Sequence, residues 1–281
     1  MFKKGADMSK SKVLFCGDTH NKAKRILPEV DEVIAKQGIT RIVLLGDYVD
    51  EFGEGTKRII DSALFLADWV KARRAKGLTV NVLMGNHDLP YVVNPCDLGY
   101  YQVKRSVAVP SHSSAQRKLH DIMREMIDSV AVYINYKDDS TGVWRGLVAS
   151  HAGFTESWSS KLGYASIKDL VDRTNHLYSE SHMYKLSWAG PERGGFDLPS
   201  PCWAGEQELI KGAVQGVTQV VGHTAHQGIT KRTSDGGSDL WFCDTHSWIS
   251  EEQRGDGSML MLDTEAGKFE IVKLESWNRF E

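Results

Sequence analysis

Three short apolar runs open the chain, and each is closed by a polar cluster. "KVLFC" (12–16), "RIVLLG" (41–46) and "TVNVLMG" (79–85) are nearly continuous rather than alternating, the pattern of strands buried on both faces. Residues 22–37 place Ile26, Val30, Val33 and Ile34 near helical spacing. Residues 56–76 carry a broader apolar face built on Ile59, Ile60, Ala63, Leu64, Leu66, Ala67 and Val70. Strand, helix, strand, helix, strand predicts a parallel sheet with helical crossovers.

The regularity then breaks. Residues 89–113 read as loop and 114–128 as a helix. "VAVYINY" (130–136) and "VWRGLVAS" (143–150) flank "KDDSTG" as a hairpin. A helix is expected near 166–178, followed by the loop "WAGPERGGFDLPSPCW". The C-terminal part is β-rich, with "TQVVG", "DLWFC", "SMLMLD" and "FEIVKLE". No repeat of domain size and no linker-like composition divides the chain. The reading is one domain over 12–281, with 89–128 as a cap-like insert or a helix completing the core, after a disordered tail over 1–11.

The polar clusters carry the chemistry. "GDTH" follows the first strand, "GDYVD" the second and "GNHD" the third, while "SHAG" and "GHT" end two later strands. Parallel strands present their carboxyl ends at one edge, where ligands bind. Asp18, His20, Asp47, Asp50, Asn86, His87, His151 and His223 are therefore expected to converge. One such cluster is weak evidence, since Gly-Asp alone is an ordinary turn. Five in order, each at a strand end, are strong. "CGDTH" and "CDTH" (243–246) also look alike, but matches this short arise by chance.

These motifs resemble those of the calcineurin-like metallophosphoesterases, within them the branch of Ser/Thr protein phosphatases and diadenosine tetraphosphatases. The resemblance runs from Val13 to about Leu262. It implies an α/β fold, a β-sandwich flanked by helices (αββα), with a dinuclear metal site at the C-terminal edge of the strands. It implies that Asp18 and His20 bind one metal, that Asp47 bridges both, and that Asn86, His151 and His223 bind the second. His87 would face the leaving group, paired with Asp50, as the catalytic acid. Mixed imidazole, carboxylate and amide ligands suit Mn²⁺ best in this reading, with Fe, Zn²⁺ or Ni²⁺ as alternatives. The implied activity is hydrolysis of phosphate esters by attack of a metal-bound hydroxide.

The sequence departs from the family pattern in places. Asn21 stands where the family has glycine, a small change because Asn tolerates unusual backbone angles. Glu51 stands where it has the arginine that holds substrate phosphate. A carboxylate about 4 Å from a phosphate oxygen repels it by about 4 kcal/mol at an effective dielectric of 20. Glu51 must turn away, meet a cationic substrate group or join a local network. Protein-phosphatase activity then competes with a phosphodiesterase or nucleotide pyrophosphohydrolase reading, and with a non-catalytic binding protein on the same fold.

Arg193 in "WAGPERGG" is the candidate for a second phosphate-binding arginine, with Lys104, Arg105 or Arg117 as other sources of charge. His246 in "CDTHSW" is a candidate substrate contact. His226 is expected at the surface or in a supporting role, and His112, His120, His176 and His182 on loops or helix faces. Trp158, Trp188, Trp203, Trp241 and Trp248 read as core or lid packing, although several flank the expected cleft.

Composition narrows the partners. Net charge is −3 and the pI about 6.4, which argues against general nucleic-acid binding. No apolar run approaches the roughly 20 residues needed to span a bilayer. The basic start lacks the apolar core of a secretory signal. Cys16, Cys96, Cys202 and Cys243 show no paired metal spacing. They read as reduced thiols of a cytoplasmic protein. The substrate class is then a phosphorylated small molecule, a nucleotide or a phosphoprotein.

Overall fold

The computed structural model describes residues 12–51, 54–93, 113–179, 182–250, 253–274 and 277. The 1–11 tail, His112, Lys104, Arg105, Cys96 and most of the loop in 89–113 lie outside the described residues.

The first apolar runs become β1 (Lys12–Cys16), β2 (Arg41–Leu44) and β3 (Thr79–Val82). The crossovers are α1 (Ala23–Gln37) and α2 (Thr56–Ala75). β1 pairs parallel with β2, and β2 with β3. On the other flank, β9 (Met259–Asp263) runs antiparallel to β1 and carries β10 (Lys268–Val272) outside it. The sheet order is therefore β10-β9-β1-β2-β3. The second sheet takes β4 (Ala131–Lys137), β5 (Trp144–Ser150), β6 (Thr218–Ala225), β7 (Thr230–Thr233) and β8 (Asp239–Asp244), in the order β4-β5-β6-β8-β7.

Side-chain alternation explains why these strands read as continuous apolar runs. Val13 and Phe15 of β1 join Val43, Ile134, Leu147 and Val220 in a core between the sheets. Leu14 and Cys16 point the other way, toward Ile26, Val30, Ile59 and Leu66 on α1 and α2. Val221, Leu240 and Phe242 leave the second sheet on its outer face to pack on Leu209 of α7 (Glu206–Gly212). Helix, sheet, sheet, helix is the expected αββα layering, and the inner strands β1 and β2 are buried on both faces.

The remaining helices complete the packing. α3 (Leu89–Val92) is short, and α4 (Ser113–Met126) buries Ala115, Leu119 and Met123 in the core beside α2. The described helical part of 89–128 thus completes the core. α5 (Glu156–Ser159) and α6 (Ile167–Ser179) follow β5. Among the described residues, no helix is long and apolar enough to cross a membrane.

Candidate metal centre

Every polar cluster predicted at a strand end falls on one edge of the sandwich. Backbone bonds stitch the loops together: the N–H groups of Thr19 and His20 donate to the Asp47 carbonyl at 3.1 and 3.0 Å, and Asn21 N–H donates to Tyr48 at 3.0 Å. β6 departs from register with β8 between Val221 and Ala225, and His223 sits in that irregularity. Its N–H donates to both oxygens of Asp18, at 3.1 and 3.2 Å. Two glycines permit this closeness. A Cβ on Gly85 would collide with the Asp47 carboxylate, and one on Gly222 with that of Asp18.

The ring nitrogens show what the edge is shaped to hold. His20 Nδ1 lies 2.7 Å from the Asp50 carbonyl, which can only accept, so Nδ1 carries the hydrogen. Nε2 is left with a lone pair, 3.8 Å from carboxylate oxygens of both Asp18 and Asp47. His151 repeats the arrangement. Its Nδ1 donates to the Leu45 carbonyl at 2.9 Å. Its Nε2 meets Asn86 Oδ1 at 2.8 Å, His223 Nδ1 at 3.1 Å and Asp47 Oδ2 at 3.4 Å. Lone pairs converge at both places around one carboxylate, and His223 Nε2 is buried with no partner. Asp47 belongs to two groups of ligand atoms within 4.8 Å of one another, His20–Asp47–His87 and Asp47–His151–His223. Such a donor set fits divalent cations.

Without a cation, protons balance the charge. Burial, then the neighbouring Asp244 carboxylate, pushes Asp18 well above the usual carboxylate range. Burial opposes a proton on His151, but Asp47 and Asp18 outweigh it and push that ring up to about 10. Asp47 moves the other way: burial would raise it, yet His151 and His87 hold it low. His20 falls to about 4, chiefly through burial, and burial followed by Arg193 lowers His223.

His87 lies as near Asp47 as His20 does, 3.9 against 3.8 Å, so distance alone does not separate their roles. Hydrogen bonding does. His87 Nδ1 is buried and unpartnered, whereas His20 is pinned by a carbonyl. The expected His87–Asp50 pair is not formed: Asp50 Oδ1 instead accepts Tyr91 Oη at 2.7 Å, and Oδ2 is buried without a partner. Burial pushes Asp50 up to about 7 and lowers His87. Arg193 does reach the site: its Nη2 donates to Thr224 Oγ1 at 2.6 Å, next to His223. His246 does not overhang a cleft. It is fully buried, edge-on to Trp277 at 5.0 Å, with both ring nitrogens unpartnered.

Three residues at this edge had escaped the sequence reading. Asp88, fully buried, accepts the N–H groups of Asp47, Tyr48 and Gly85 at 2.8, 3.0 and 2.9 Å, tying two loops to one carboxylate. Its signal is the acid that ends "GNHD" before an apolar run. Lys22 pairs with Glu51, which answers the question that Glu51 raised: it joins a local network. Asp244 is buried and acts on Asp18, so the "CDTH" echo marks a further acid at the same strand edge.

The family model described as calcineurin-like phosphoesterase matches residues 11–257. The chain belongs to that family and is a hydrolase acting on phosphoric ester bonds. Among solved structures it is similar to a cold-active protein-tyrosine phosphatase of a psychrophilic Shewanella species. That match has 16% identity and a TM-score of 0.54, over 94% of this chain and 81% of that one. A phosphoesterase from E. coli matches at 14% identity and TM-score 0.40, over 94% of this chain and 100% of that one. A putative diadenosine tetraphosphatase matches at 15% identity and TM-score 0.39, over 94% of each chain. Likeness at these identities shows the fold alone. No curated protein matches the chain by sequence.

Proposed function

We propose that this chain is a divalent-metal-dependent phosphomonoesterase. The observation that carries the reading is the convergence of lone pairs around Asp47, with His20 and His151 each held in the tautomer that turns Nε2 inward. Asp18 and His20 would hold one cation, Asn86, His151 and His223 a second, and Asp47 both. Manganese is the ion of choice for the first reconstitution. When bound, such cations neutralise phosphoryl oxygens and bring the pKa of water from 15.7 toward about 7.

The chain's own residues supply orientation and the proton. His87 presents an imidazole at the rim, 18% exposed, with its N–H backbone bond to Asp47 Oδ1 at 2.9 Å fixing its place. Given a proton, it can pass it to the leaving oxygen, a step worth about 10²–10⁴ in rate. Asp50 acts through Tyr91 and through the carbonyl that orients His20. Arg193 sits beside His223 as the cation for the non-bridging phosphate oxygens. Because Lys22 neutralises Glu51, that carboxylate no longer argues against a dianionic monoester.

The test is a paired rate on manganese-loaded protein. A faster turnover of p-nitrophenyl phosphate than of bis-p-nitrophenyl phosphate supports the reading. A faster diester turns it toward a phosphodiesterase or nucleotide pyrophosphohydrolase. Full metal occupancy without turnover of either ester would leave a binding protein.

A further inference from the structure

Beside the metal centre the surface opens into a cleft of about 810 Å³. Its inner wall is Asn21, Lys22 and Glu51, which follow directly on His20 and Asp50. Among its described lining residues, six cations stand against three carboxylates, on a chain whose net charge is −3. Each carboxylate has its own cation. Glu51 pairs with Lys22, Glu54 with Arg58 at 2.9 Å, and Asp61 with Lys57. Among the described residues, Lys24 and Arg254 have no carboxylate partner. Arg254 lies 4.8 Å over the Trp248 ring and 5.6 Å from the Trp277 ring, which also carries Arg25 at 4.1 Å. Two like-charged guanidinium groups thus share one indole.

Two further side chains point to a ligand. The Asn21 side chain is 5% exposed and both its amide atoms lack partners, and the same is true of the Ser62 hydroxyl, 3% exposed. Both residues line the cleft. Buried polar groups are normally satisfied, so the unpartnered donors among them, the Asn21 amide N–H₂ and the Ser62 hydroxyl, beside surplus positive charge mark a place for an anion with several oxygens.

We propose that this cleft is a subsite for further phosphate groups of the substrate, so that the monoester hydrolysed carries two or more clustered phosphates, one at the metal centre and the others against Lys24, Arg25 and Arg254. The proposal rests on the phosphoesterase reading for the reaction, but not for the binding. The charge arrangement favours a compact polyanion over an acidic peptide, because two of the cleft's cations, Arg25 and Arg254, are gathered against one indole.

The experiment is calorimetric titration of metal-free protein with inorganic tripolyphosphate and with orthophosphate. Tripolyphosphate is expected to bind at least about tenfold more tightly, and to weaken as salt is raised. Arg254→Gln and, separately, the exposed Lys24→Gln should each cost about tenfold, the scale of one lost charge-assisted hydrogen bond. Lys168→Gln, which removes a cation from the distant α6 surface, should leave affinity unchanged. Equal affinity for the two phosphates, or insensitivity to both cleft variants, overturns the proposal. Tight binding of an acidic peptide without tripolyphosphate binding overturns it too. Manganese-loaded protein that binds tripolyphosphate yet turns over no phosphate ester overturns the catalytic reading alone.

Discussion

His246 offers a prediction whose sign and size follow from its surroundings. The ring is fully buried against Trp277, with Lys22 and Arg25 the charges that face it. Burial first, then those two cations, lowers its pKa from 6.5 to about 3. A folded-state value below the unfolded one means that the unfolded chain takes the proton first. The stability this group contributes is therefore whole above about pH 6.5 and is lost progressively as pH falls toward 3. At pH 5 the loss is about 2 kcal/mol, taking about 1.4 kcal/mol per unit. His246→Phe keeps an aromatic edge toward Trp277 and removes both the proton and two unpartnered nitrogens. Urea unfolding at pH 7.5 and pH 5 should show the variant losing about 2 kcal/mol less than the parent over that interval. Turnover of p-nitrophenyl phosphate should be retained. An identical pH dependence in parent and variant would refute the buried-neutral assignment. A large rise in KM with unchanged stability would restore His246 as a substrate contact.

Other outcomes follow from the same geometry. Asp47→Asn should abolish both metal binding and activity, read by metal analysis and turnover, since one carboxylate serves both ligand groups. Asp88→Asn, which places an amide N–H₂ against backbone donors, should destabilise by about 2 kcal/mol and lower metal affinity although Asp88 sits in neither ligand group. Lys22→Met leaves Glu51 uncompensated in a largely buried setting and should cost about 3 kcal/mol on unfolding, while the double variant Lys22→Met/Glu51→Gln recovers most of it. His87→Ala should retain the metals but slow alkyl phosphates far more than p-nitrophenyl phosphate; equal slowing of both would remove His87 as the acid.

The layers and the strand ends were legible because local pattern sets them. β1, β2, α1 and α2 fall within a residue or two of the apolar runs that announce them. Two things were not local. β9 and β10 return to flank β1, a pairing that spans nearly the whole chain and leaves no mark on spacing. β7 was missed because Thr230–Thr233 is a polar, exposed edge strand. At the site, spacing placed the histidines at the edge but could not tell a buried ring from an overhanging one, so His246 was misplaced. Nor could it choose Tyr91 over His87 as the partner of Asp50, since Tyr91 arrives from a different turn. Glu51 was in view, but its pairing with Lys22 depends on two loops meeting.

The backbone shows why the motifs combine glycine with functional side chains. Among the described residues, the non-glycine residues with positive φ are His20, Asn21, Asp47, Asp50 and His223, at 34°, 61°, 54°, 64° and 66°. All lie at this one edge. Asn and Asp tolerate the left-handed region better than histidine does, so His20 and His223 carry most of the strain. Glycine would relieve it, and would remove the ligand that the turn exists to present. Strain of this kind costs on the order of 1–3 kcal/mol per residue and persists only where neighbours over-determine it. Here two of the turned N–H groups find carboxylates, His223 donating to Asp18 and Asp47 to Asp88, while His20 donates to the Asp47 carbonyl. Such hydrogen bonds contribute roughly 0.5–1.5 kcal/mol each, and about 1.5–3 where the acceptor is charged, the same scale as the strain. The carboxylates at the metal centre therefore do two jobs. They face the cation position with one lone pair and fasten the strained backbone with another, so the ligand geometry is set by the fold before any cation arrives.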